Sequence, residues 1–252
     1  MKTPLRSLNP STTVCALALA VASLLMPAHA SAVLIHEYTL NGTFADSLGG
    51  PALTEFVPGS GVLGPADYAF AQNKGLDLQN ALPDPGNYSI LMDFSFDTIS
   101  GYRRILDFKN RTSDGGFYNL NGSLNFYPVV SAPSALAAGV PARVVVTRDS
   151  GTGIVATYVN GVQQFTFADT ANAGVFDQPN EIMHFFTDDL AFPNEASSGV
   201  VGEIAIYDSP LIAQDVLSLG GPGTPLVPEP AAWALLGLGL PALLAFRRRR
   251  SA

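Results

Sequence analysis

The 252-residue sequence is 47% apolar and 13% charged, with a formal net charge of −8, which is enough apolar material for one core-bearing domain. Between residues 31 and 228 lie seven Lys or Arg and 20 Asp or Glu, a net of −13, which excludes DNA or RNA as the partner of that stretch at moderate salt. With 24 Gly and 19 Pro, the chain favours many short strands over a helical bundle.

Residues 1–32 open on Lys2 and Arg6, run uncharged through 14–26, and reach the small-x-small sites Ala28-His29-Ala30 and Ala30-Ser31-Ala32. This pattern predicts a secretory signal peptide cleaved after Ala30 or Ala32, an uncleaved anchor being the alternative. The only cysteine, Cys15, lies in the segment to be removed, so the mature chain is expected to use neither disulfides nor thiol chemistry.

A domain is expected over 33–219. Its clearest strand is 88–97, where Tyr88, Ile90, Met92, Phe94 and Phe96 alternate with Ser89, Leu91, Asp93, Ser95 and Asp97, so period two assigns the first set to a core face. Further strands are predicted at 33–40, 105–109, 117–120, 123–127, 143–149, 154–159, 162–167, 181–187 and 200–207. Asn160-Gly161 between two of them tolerates positive φ at both central positions and predicts a type I′ hairpin. After Pro210, the apolar spacing of 211–219 predicts one short helix. The fold class expected is all-β, a two-sheet antiparallel jelly-roll sandwich.

Residues 220–227 (Gly-Gly-Pro-Gly-Thr-Pro-Leu-Val) have no periodic pattern and predict a linker. The end of the chain, 228–252, holds Pro228, Glu229 and Pro230, then sixteen uncharged residues over 231–246, then Arg247, Arg248, Arg249 and Arg250. That order predicts a short single membrane helix with an arginine clamp on its inner side.

Taken together, the tripeptide, the apolar tract and the terminal arginines closely resemble the PEP-CTERM sorting signal of exopolysaccharide-making Gram-negative bacteria. The resemblance implies export through the inner membrane, with signal peptidase and an exosortase as processing partners, and delivery to the cell surface or extracellular matrix. The domain carries a second resemblance. Leu40-Asn41-Gly42-Thr43-Phe44-Ala45-Asp46-Ser47, Tyr158-Val159-Asn160-Gly161 and Gly199 to Asp208 with Leu211 look like a laminin G-like, concanavalin A-like domain. That family implies the jelly roll already reached by strand counting, and it hosts lectins, adhesion modules and glycosidases. Its relatives often hold an acidic residue where this chain aligns Gly202.

Chemistry is sparse. Retaining glycosidases on this scaffold place carboxylates at alternating positions of one strand, and the sequence has no Glu-x-Asp. Asp93 and Asp97 share a strand face, which reads more simply as solvated. Without the signal peptide the histidines are His36 and His184, neither with a His or Cys at metal-ligand spacing; both are expected to be structural or surface residues. Calcium is the one cofactor worth weighing. Its candidate ligands are Asp188, Asp189 and Glu195, with Asp114 in a turn; the simpler reading is a solvated loop and a turn former. Tyr102, Tyr118 and Tyr127, in or beside expected loops, are candidates for stacking on sugar rings, against a packing role. The expected function is a non-catalytic carbohydrate- or protein-binding module, not an enzyme, whose partner is an exopolysaccharide or cell-surface glycan. A glycan hydrolase of the same fold and a ligand-free matrix protein are the alternatives.

Overall fold

Strand alternation over 88–96 is the organising element of the structure, a computed structural model that describes residues 31–224 and Leu226. The strands are β1 (Leu34–Tyr38), β2 (Thr54–Glu55), β3 (Val62–Leu63), β4 (Tyr68–Phe70), β5 (Leu76–Leu78), β6 (Tyr88–Phe96), β7 (Tyr102–Asp107), β8 (Gly116–Leu120), β9 (Ser123–Tyr127), β10 (Val130–Ser134), β11 (Ala142–Arg148), β12 (Ile154–Val159), β13 (Val162–Ala168), β14 (Met183–Phe185) and β15 (Gly199–Tyr207). One helix, α1 (Ala213–Leu219), follows. An eight-stranded sheet runs β13-β12-β11-β6-β15-β4-β3, with β1 also pairing β15; a seven-stranded sheet runs β10-β9-β8-β7-β14-β5-β2. The paired strands are antiparallel, and the two sheets form the expected sandwich.

Between the sheets lies the main core. Tyr88, Ile90, Met92, Phe94 and Phe96 of β6 and Ile204 and Ile206 of β15 meet Phe117, Leu124, Phe126, Met183 and Phe185 of the facing sheet. The hairpin at Asn160-Gly161 takes φ of 50° and 82°, the positive pair that a type I′ turn demands. The strands at 54–55, 62–63, 68–70, 76–78 and 130–134 went unread, because segments of two to five residues set no period.

Two irregularities decide which side chains face outward. In β15 the register against β6 shifts between Val201 and Glu203, so Val201 pairs Phe94 while Glu203 pairs Asp93. Gly202 is the extra residue, and the bulge turns Glu203 to the outer face, where unbroken alternation from Val201 would bury it in the core. In β7 the register shifts between Arg104 and Leu106, which leaves Arg104 and Asp107 both outward and 3.5 Å apart.

The outer face of the larger sheet is also covered, which corrects the solvated-face reading of Asp93. Leu91, Val145, Tyr158, Ala205 and Tyr207 pack under Leu211, Val216 and Leu219 of the helical segment and under Leu226; burying each such side chain contributes about 1.5–3 kcal/mol. Asp93 is 8% exposed and receives both Nε and Nη2 of Arg143, at 2.8 and 2.7 Å. Asp97 stays exposed and accepts the Ser198 hydroxyl at 2.5 Å. Arg143 Nη1 also donates to the carbonyls of Leu219 and Thr224, both at 2.9 Å, and the Tyr207 hydroxyl donates to that of Leu226 at 2.6 Å. The expected linker is therefore, over its described residues, a strap held on the sheet, and the domain extends past residue 219 to Leu226.

Several expectations fall on other residues. Residues 1–30 of the expected signal peptide, with Ala30, the sorting residues Pro228, Glu229, Pro230 and Arg247 to Arg250, and the membrane helix lie outside the described residues, whereas the alternative cleavage residue Ala32 is described and packs against the outer-face cluster. Among the described residues no helix is long and apolar enough to cross a membrane.

Replacing Arg143 by Leu strands the Asp93 carboxylate under the strap. Chemical denaturation of Arg143→Leu is expected to show a loss of about 3–5 kcal/mol, against less than about 0.5 kcal/mol for Val162→Ala at an exposed edge position.

Candidate functional site

The outer face of the seven-stranded sheet begins from residues one step out of phase with the core. Phe117 and Phe126 pair and point inward, so the neighbouring pairs Tyr118–Asn125 and Gly116–Tyr127 point outward. Tyr102 opens β7 and Arg104 stands opposite Tyr118 on the same face. The three tyrosines expected near loops thus sit on three adjacent strands. Their rings meet edge to face, with centroids 5.5 Å apart for Tyr102–Tyr118, 5.7 Å for Tyr102–Tyr127 and 6.5 Å for Tyr118–Tyr127.

Tyr118 is corrected as a stacking candidate. It is fully buried, its ring carries the Arg104 guanidinium 4.0 Å above its centroid, and its hydroxyl donates to the Asp114 carbonyl at 2.8 Å. It backs the site. Tyr102 and Tyr127, each partly exposed, form its wall.

Arg104 is the hub behind that wall. Gly116 lacks the side chain that would collide with Arg104 Nη1, so the guanidinium lies flat across β8. Nη2 pairs with Asp189 Oδ2, Nη1 stands 3.5 Å from Asp107 and Nε 3.9 Å from Asp188. All four side chains are fully buried, which corrects the solvated-loop reading of Asp188 and Asp189. The two aspartates shape the segment that follows β14. Asp189 Oδ1 accepts the amides of Ala191 and Phe192 at 2.6 and 2.8 Å, and Asp188 Oδ2 accepts the amide of Glu195 at 2.5 Å. The amide of Arg104 in turn donates to the Glu195 carbonyl at 2.7 Å.

This scaffold carries Phe192 and Glu195 to the tyrosine wall. Tyr102, Tyr127, Phe192, Asp114 and Glu195 line a cavity of about 180 Å³. Phe192 is 63% exposed, a large apolar side chain left free beside polar groups. Sequence reasoning missed Phe192; an aromatic residue three positions after Asp189 in a Pro- and Asn-containing loop was the available signal. Burial, then repulsion from Asp114 and Asp188, pushes the Glu195 carboxyl above its ordinary value. Burial does the same to Asp107 and Asp188 despite the nearby Arg104.

The four calcium candidates divide. Asp188 and Asp189 are committed to Arg104 and to loop amides, while Asp114 and Glu195 line the cavity. A guanidinium stands among the carboxylates where a cation would be needed, and among the described residues no group of three or more His, Cys, Asp or Glu is arranged to hold a metal. These residues do not fit a calcium cage.

Both histidines sit in carboxylate pairs. His36 Nδ1 lies 2.7 Å from Asp46 and His184 Nδ1 lies 2.7 Å from Asp77, with Ala81 and Asn110 on their other nitrogens. A second cavity, about 410 Å³, opens on the other sheet's outer face between Asp67, Asp93, Ser95, Glu203 and the strap residues Pro222 and Gly223. There Glu203 accepts from Arg143 Nη2 at 3.0 Å. Burial and the adjacent Asp93 push the Glu203 carboxyl up to about 7, against the favourable charge of Arg143.

No protein-family model matches the sequence, and no curated protein does. Solved structures of similar fold include domain 4 of an extracellular arabinanase from Geobacillus stearothermophilus in complex with arabinotriose, with TM-score 0.53, 18% identity, and coverage of 76% of this chain and 100% of that one. Trypanosoma rangeli sialidase in complex with 2,3-difluorosialic acid gives TM-score 0.56 at 13% identity, covering 74% of this chain and 32% of that one. The botulinum neurotoxin serotype D binding domain gives 0.51 at 13% identity, covering 73% and 50%. The chain thus spans the whole of the arabinanase domain, about a third of the sialidase and half of the toxin fragment. At these identities the likeness establishes the sandwich fold.

Glu203 makes stability depend on pH. Its folded carboxyl holds a proton up to about 7, and the unfolded one releases it near 4.5, so between those values the folded state binds more protons and stability falls as pH rises. Denaturation midpoints of the native protein, compared with Glu203→Gln, are expected to decline more steeply from pH 4.5 to 7; parallel profiles would refute the shift.

Proposed function

We propose that this protein is an exported, non-catalytic glycan-binding module of jelly-roll type. In this reading the Pro228-Glu229-Pro230 signal is processed by an exosortase, and the module reaches the cell surface or exopolysaccharide matrix. The observation that carries the binding role is the convergence of Tyr102, Tyr127 and Phe192 with Asp114 and Glu195 around one cavity. Aromatic faces stack on the C–H faces of sugar rings, and carboxylates accept hydrogen bonds from sugar hydroxyls. The site stands on rigid strands, with one loop fixed by buried charge. One structure of similar fold, the arabinanase domain matched over its whole length, is in complex with arabinotriose, which lends support at the level of class.

A second reading, glycan hydrolysis, draws on the Asp93 and Glu203 carboxylates, which share one nitrogen of Arg143, and on the raised Glu203 carboxyl that suits a general acid. Both Asp93 oxygens are engaged by Arg143, and among the described residues the one aromatic residue at that cavity is Phe94, whose side chain packs in the core. Release of reducing ends that is lost in Glu203→Gln would favour this reading over the first.

The purified full chain is expected to bind exopolysaccharide from a PEP-CTERM-bearing source saturably. Tyr127→Ala and Phe192→Ala should each weaken binding about tenfold, equivalent to about 1.4 kcal/mol, while Val162→Ala on the other sheet changes nothing. Chelator should leave both binding and melting temperature unaltered. No saturable binding to any glycan would overturn the proposal in favour of a ligand-free matrix protein.

A further inference from the structure

We infer that the aromatic cavity on the seven-stranded sheet selects glycans that carry a protonated amino group, and discriminates against uronic and other acidic sugars. The inference rests on the glycan-binding reading above and adds the charge of the ligand.

The walls supply the first half of the argument. Tyr102 and Tyr127 stand edge to face and Phe192 is exposed beside them, so three aromatic side chains border one space of about 180 Å³. Aromatic rings present negative potential on their faces and attract ammonium groups placed over them. The floor supplies the second half. The polar side chains lining the cavity are the tyrosine hydroxyls and the carboxylates of Asp114 and Glu195. Behind them Asp107, Asp188 and Asp189 share Arg104.

Among the described residues no Lys or Arg side chain lines the cavity. Arg103 Nη1 reaches the carbonyls of Asn194 and Ala196 at 3.4 and 3.3 Å. Arg111 Nε donates to the Asp188 carbonyl at 2.5 Å, and its guanidinium stacks on Phe56. Five carboxylates stand near three guanidiniums, and the pairing is imperfect on both sides: Asp107 Oδ2 and Asp188 Oδ1 are buried without a hydrogen-bond partner, and so are Nε of Arg103 and of Arg104. Glu195 lies among these carboxylates. Its carboxyl is raised by burial and by Asp114, Asp188 and Asp189, with Arg104 opposing. A ligand ammonium between Asp114 and Glu195 relieves this repulsion, whereas a ligand carboxylate adds to it and meets no cationic side chain among the described residues that line the cavity.

The test compares three oligosaccharides of equal length with the full chain by calorimetry: glucosamine, N-acetylglucosamine and galacturonate tetramers, at a pH where the amine is charged. Glucosamine is expected to bind about tenfold more tightly than its N-acetylated counterpart, with galacturonate weakest, and added salt should erode only the glucosamine affinity. Glu195→Gln and Asp114→Asn keep the cavity shape. Each is expected to reduce the ratio of glucosamine to N-acetylglucosamine affinity several-fold, and their melting curves report whether the fold survives. Equal affinity for the amine and its acetylated form, or tighter binding of galacturonate, overturns the inference and leaves the glycan-binding reading standing. A preference that persists in both variants overturns the assignment to these carboxylates. Failure of all three sugars to bind, together with no binding to exopolysaccharide, overturns the glycan reading itself and this inference with it.

Discussion

A guanidinium taken out of water must find carboxylates and carbonyls in its place, because the cost of an unpaired buried charge runs to several kcal/mol. This chain buries three arginines almost completely, Arg104, Arg143 and Arg148, and each fastens a segment that has no regular structure of its own. Arg104 holds residues 187–196 over one sheet. Arg143 holds the strap at Leu219 and Thr224 against the other, and Tyr207 holds it at Leu226. Arg148 pairs with Asp169 and reaches Gly86 and Asn172, tying the loop after β13 to the start of β6. The sandwich core would collapse from its apolar side chains alone; the irregular segments have one low-energy position because the arginines do.

Bulges give those arginines their partners. A strand that alternates without interruption cannot present Arg104 and Asp107 on one side, or carry both Val201 into the core and Glu203 out of it. One extra residue in β7 and one in β15 change the phase, and both charge clusters follow from that shift. Gly202 is the added residue in β15, and it sets Glu203 facing Asp93 across the sheet.

Electrostatics links the domain's composition to its cavity. An excess of carboxylates over 31–228 is compatible with folding because the aspartates that lie deepest are paired or hydrogen-bonded to backbone amides. Asp114 and Glu195 line the recess bordered by three aromatic side chains, so that stacking surfaces and acceptors for the proposed glycan stand together.

The sequence by itself determined what depends on local period and turn chemistry. Alternation over 88–96, the Asn160-Gly161 turn, the strands at 123–127, 154–159 and 200–207 and the single late helix are legible because each rests on neighbours a few residues apart. The candidate site was legible only in fragments: Tyr102, Tyr127, Asp114 and Glu195 were singled out as two unrelated sets, and Phe192 was not singled out. The tertiary structure decided that these belong to one cavity, that Tyr118, Asp188 and Asp189 stand behind it as supports, and that the stretch after residue 219 is bound to the sheet. Those outcomes depend on contacts such as Arg104 with Asp189, 85 residues apart, and on single-residue bulges that no periodic pattern announces. Local sequence carries the period of a strand, whereas the pairing register and the neutralisation of buried charge are settled only when distant strands meet.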